Sequence, residues 1–76
     1  MHVAYDAKAD ALYITFKEGN FHKNREVEPG VVFDFGRDRD LLGIELLDAS
    51  ARFGAANLAS ISMEMIGLEW MTEEAG

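Results

Sequence analysis

The 76-residue chain contains no cysteine, one proline and one tryptophan. Without cysteine there is no disulfide to hold the fold and no thiol chemistry. No apolar run approaches the ~20 residues that a membrane-spanning helix needs. Met1 to Asp6 also lacks the basic stretch and apolar run of a secretory signal. A soluble cytoplasmic protein with no membrane partner is therefore expected. Basic charge is scarce: seven Lys and Arg against fourteen Asp and Glu give a net charge of -7. A field of that sign repels polyphosphates, which disfavours direct binding of nucleic acid. The basic residues stop at Arg52, and Glu64, Glu69, Glu73 and Glu74 follow unbalanced. Charge runs of this kind are usually solvated, but this one also suits a basic protein partner.

What is present is apolar enough to fold, with 49% hydrophobic and 28% charged residues. The length fits one domain, residues 1–76, and no linker or repeat divides it. Area scaling gives roughly 12,000 Å² for the unfolded chain and roughly 4,700 Å² folded. With somewhat over half of that buried area apolar, at ~25 cal/mol per Å², burial stabilises the fold by ~110 kcal/mol, and ordering the residues opposes it by about the same. A chain so balanced, with no crosslink, calls for a partner, and a homodimer is the simplest one.

Alternation with a period of two marks most of the chain as half-buried strand. Leu12, Ile14 and Phe16 share one side of the segment from Ala11 to Lys17. Val31, Phe33 and Phe35 repeat the pattern, as do Leu42, Ile44 and Leu46. A shorter strand, Val3 to Tyr5, precedes a connection in which the Asp6 carboxylate can accept backbone N–H bonds. Arg25 to Glu28 fits a short edge strand closed by Pro29-Gly30, where proline fixes a negative φ and glycine supplies a positive one. Asp48 or Ser50 can cap a short helix that ends at Gly54. After it, a helical turn is expected near Ala55 to Leu58. Ser60 to Ile66 reads either as a strand, with Ile61, Met63 and Met65 on one side, or as a helix with Leu58, Ile61, Met65 and Leu68 on one stripe, and Gly67 favours the strand. The expected fold is α+β: an antiparallel meander of four to five strands with one short helix, dimeric. Ile66, Leu68, Trp70 and Met71 are the candidate interface residues.

Three segments carry a family resemblance: Tyr5-Asp6-Ala7-Lys8-Ala9-Asp10-Ala11-Leu12-Tyr13-Ile14, Glu28-Pro29-Gly30-Val31-Val32-Phe33-Asp34, and Gly43-Ile44-Glu45-Leu46-Leu47-Asp48-Ala49-Ser50. Together they resemble the bacterial domain of unknown function 2283. The resemblance covers roughly Met1 to Phe53. It implies a small sheet protein with no established catalytic residue. Members occur next to small RNase-like toxins, which implies an antitoxin-like partner of a small basic ribonuclease toxin. The loop Arg37-Asp38-Arg39-Asp40 departs from the plain acidic and glycine turn that is usual in relatives.

No motif carries an enzymatic activity. Ser50, Ser60 and Ser62 lie in no G-x-S-x-G elbow, and neither phosphate-binding glycine loop is present. His2 and His22 stand twenty residues apart, without the i, i+4 spacing of a zinc helix. Asp34, Asp38, Asp40 and Glu45 form the candidate acidic site of a second reading, a small-ligand or divalent-metal binding domain. Counted from Asp38 as an EF-hand, Leu42 and Gly43 fall at positions five and six, and position twelve holds no acid. The expectation is a non-enzymatic interaction module with no cofactor, no resident metal and no catalytic residue.

Overall fold

The computed structural model describes residues 1–67. It contains β1 (His2–Asp6), β2 (Ala11–Thr15), β3 (Phe21–Glu28), β4 (Val31–Gly36) and β5 (Leu41–Leu47), then the short helices α1 (Ala49–Phe53) and α2 (Ala55–Leu58). All strand pairs are antiparallel, in one sheet of order β1-β2-β5-β4-β3. The α+β class matches the expectation, as do the short helix ended by Gly54 and the helical turn at Ala55–Leu58. A simple meander does not hold, because β2 pairs with β5 and not with β3. The reason lies in the side chains: β2, β4 and β5 carry the strong apolar alternation. Setting β5 between β2 and β4 shields all three and leaves β1 and the polar β3 at the edges.

Register then separates two faces, because directly paired residues point the same way. Ile14 and Phe33 both pair with Ile44, and Leu12 and Val31 both pair with Leu46. Val3 and Tyr5 extend this apolar face through Ile14 and Leu12. The opposite face carries Thr15, Gly43, Asp34 and Asn24 in one row and Tyr13, Glu45, Val32 and Glu26 in the next.

Two boundaries differ from expectation. Strand β3 starts at Phe21, not Arg25, because its pairing with β4 is made by main chain and needs no side-chain alternation; all eight residues are exposed. Register shifts at Phe21/Lys23 and Glu26/Glu28 bend this edge. Ser60 to Gly67 forms no strand, although its apolar residues alternate. A strand needs a neighbour to take its backbone hydrogen bonds, and this segment finds none among the described residues. The Pro29-Gly30 turn is as expected, with Gly30 at φ 77°.

The extensive contacts run between adjacent strands and between the two helices, and the helices meet the sheet only at its end, beside Tyr5 and Leu47. Among the described residues most of the sheet therefore has no second layer, where domains ordinarily need two. Among the described residues, Ala11, Leu12, Leu42 and Ala49 are the buried hydrophobic ones, and no large side chain is fully buried. Ile14, Phe33, Ile44 and Leu46, in the middle of the apolar face, remain partly exposed.

Candidate functional site

The turn between β1 and β2 is organised by two aspartates. The Asp6 carboxylate accepts the N–H groups of Lys8 (2.9 Å) and Ala9 (3.2 Å), as its place in the sequence predicts. Asp10, with φ 51°, directs its carboxylate out of the turn and toward the start of α1. There it accepts the Ser50 N–H at 2.9 Å, the Ser50 hydroxyl at 2.6 Å and the Tyr5 hydroxyl at 2.7 Å. Its own carbonyl accepts the Ala49 N–H at 3.0 Å. Asp48 holds the cap position but sits in a left-handed backbone conformation and makes no side-chain cap bond. The helix is capped by a residue forty positions earlier. The bonds from Ser50 and Tyr5 hold the Asp10 carboxyl below its ordinary range, and the hydrogen bond to Asp10 pushes the Tyr5 hydroxyl up.

Arg52 fixes the other side of α1. Its Nε donates to the Leu47 carbonyl at 2.7 Å, and its Nη2 donates to the Pro29 carbonyl. The close approach uses the missing side chain of Gly30, where a Cβ would lie 2.5 Å from Arg52 Nη2.

On the polar face, an open cleft of about 830 Å³ is lined by Asp34, Glu45, Asn24, Thr15 and the segment from Lys17 to Phe21. Asp34 and Glu45 are diagonal neighbours on β4 and β5, placed so that a protonated Glu45 can donate to the Asp34 carboxylate. That bond, with burial and the nearby Asp34 charge, pushes Glu45 up to about 7. Of the acids proposed from sequence, these two meet. Asp40 instead pairs with Lys17 at 2.8 Å, which holds its carboxyl low. Asp38 is exposed in the β4–β5 turn. Among the described residues no three His, Cys, Asp or Glu side chains form a group that could hold a metal ion. His2 and His22 are both exposed. Of the candidate interface residues, Ile66 is 86% exposed; Leu68, Trp70 and Met71 lie outside the described residues. No helix among those residues is long and apolar enough to cross a membrane.

The raised Glu45 gives a stability prediction. An acid that binds its proton more tightly in the folded state stabilises the fold at low pH. Its contribution is complete below 4.5 and is lost as pH rises through about 7. Allowing for solvent screening of a half-exposed site, the loss is on the order of 2 kcal/mol. Glu45→Gln keeps a hydrogen-bond donor to Asp34 and cannot ionise. Denaturant titrations should show the variant more stable than the parent at pH 8 and close to it at pH 5. Equal stability at both values would refute the shared proton.

The sequence profile of a family described as a protein of unknown function, DUF2283, matches residues 2–50. No curated protein and no solved structure matches the chain.

Proposed function

The chain belongs to the DUF2283 family, and on that footing we propose a non-enzymatic protein-interaction module that self-associates, with a homodimer as its simplest form. The observation that carries this reading is the apolar face that the described residues leave partly exposed, centred on Ile14, Ile44 and Phe33. Apolar surface left in water costs ~25 cal/mol per Å², and a second copy is the most available cover, since closed two-fold assemblies dominate among oligomers. The net charge of -7 favours a basic protein where the module meets a different partner, because complementary fields speed encounter and select against acidic proteins. An antitoxin-like role toward a small basic ribonuclease is the specific form of this proposal. The alternative, a small-ligand or divalent-ion domain, has two converging acids in its favour, Asp34 and Glu45, while Asp38 and Asp40 stand elsewhere.

Phe33→Lys tests the module directly, since it sets a charge in the middle of the proposed contact without emptying a buried site. Gel filtration with light scattering should report a dimer for the parent and at least a tenfold weaker one for the variant, roughly the cost of one desolvated unpaired charge. Circular dichroism at a concentration where both are dimeric should report an intact sheet in both. An unchanged dimer in the variant would move the contact off this face.

A further inference from the structure

One corner of the apolar face gathers four of the chain's seven Lys and Arg residues. Lys23 and Arg25 project from β3 beside their register partners Phe35 and Phe33. Arg37 and Arg39 close the corner from the β4–β5 turn, and with His22 these cations line a groove of about 390 Å³ around Phe35. All four are exposed, and among the described residues none has a carboxylate within ion-pair distance. Like charges set close together on a strand pair repel one another, so the arrangement favours an anionic occupant. The other end of the same chain has the complementary character. Glu64, Glu69, Glu73 and Glu74 alternate with Met65, Ile66, Leu68, Trp70 and Met71, and no basic residue follows Arg52.

Resting on the self-association proposed above, we infer that the cationic groove of one copy receives the acidic, apolar C-terminal segment, residues 64–74, of a second copy. Residues 61–66, which lead into the segment, do not rest on their own sheet: Ile61, Met63, Met65 and Ile66 are all more than half exposed.

Area argues the same way. Five strands about 4.8 Å apart and some six residues long present a footprint of roughly 500 Å². A standard interface buries about 800 Å² per partner, so two sheet faces in contact gain from a crossing segment. Two copies of charge -7 repel as wholes, but at physiological salt that repulsion is screened beyond about 8 Å. Contact pairs then decide. The same net charge places a nucleic-acid strand behind an acidic peptide as the occupant.

Trp70 is the only tryptophan in the chain and serves as the probe in full-length protein. Its emission should move to shorter wavelength as the protein is concentrated through its dimer transition, and return on dilution or in 1 M salt, at which the screening length falls to about 3 Å. The variant R37E/R39E should keep solvent-like emission at every concentration and dimerise about tenfold more weakly, as expected for the loss of two contact pairs. Adding E73K/E74K to it should restore both properties. Emission that is identical in the parent and R37E/R39E would overturn the inference, and a dimer surviving in both would leave the sheet-face reading standing. A short-wavelength emission independent of dilution would overturn it in favour of the segment's own copy. Binding of a single-stranded RNA at physiological salt, lost in R37E/R39E and without effect on Trp70, would overturn it in favour of a nucleic-acid occupant.

Discussion

Replacing Asp10 by alanine is expected to lower the melting temperature by about 10 °C, the scale for losing a helix cap and further bonds in a domain of this size. Few residues here do so much. The carboxylate accepts three hydrogen bonds, two from Ser50 and one from Tyr5, and so ties the first hairpin to the first helix. Removing it leaves the Ser50 N–H without its cap and frees the aromatic ring of β1 from the turn. It also places alanine at φ 51°, a conformation that aspartate and asparagine tolerate better. Asp10→Asn keeps that tolerance and part of the bonding, so about half the loss is expected, read by thermal circular dichroism at neutral pH. Because the folded state holds the Asp10 carboxyl low, its contribution is complete above the ordinary carboxylate range. It is lost as pH falls through the lowered value, and the gap between parent and alanine variant should narrow in acid. A gap that stays constant to strongly acidic pH would contradict this role.

Gly43→Ala is expected to cost about 2–3 kcal/mol, a typical penalty for forcing atoms into a packed site. A Cβ at this position would lie 2.6 Å from the Ile14 carbonyl oxygen. That oxygen belongs to the backbone of β2, so the clash is relieved only by drawing β2 away from β5, the pair that joins the two halves of the sheet. Gly19→Ala is the control. Its Cβ would meet the Leu42 side chain at 2.7 Å, and a side chain can move. Urea titration should rank Gly43→Ala well below Gly19→Ala in midpoint. Equal midpoints would mean that the central strands do not approach as described.

The strands readable in sequence are those that form the middle of the sheet. Leu12 and Ile14, Val31 and Phe33, and Ile44 and Leu46 alternate because one face of each strand meets a different environment from the other. The first half of β3 was not readable, since Phe21-His22-Lys23-Asn24 shows no alternation and is held by main-chain bonds. Strand order escaped for a related reason: which apolar strand pairs with which is set by long-range packing, not by any local pattern. Ser60 to Ile66 shows the converse, a strand pattern with no strand beside it. In the candidate sites, Asp34 and Glu45 were foreseeable because their positions on β4 and β5 fix their direction. Asp38 and Asp40 lie in or beside a turn, where no periodicity fixes direction, and Lys17 draws Asp40 away. Neither the Asp10 to Ser50 bonds nor the cationic corner has a local signal. One joins residues forty apart, and the other assembles from two segments that only the fold brings together.

Sedimentation equilibrium of the untagged full-length chain, followed by dilution from micromolar to nanomolar at physiological salt, tests most directly whether the sheet needs a second layer. A dimer that dissociates on dilution, with loss of sheet signal or of protection from hydrogen exchange in β2, β4 and β5, is the predicted result. A single subunit that remains folded and fully protected at nanomolar concentration would show that the uncovered face needs no partner.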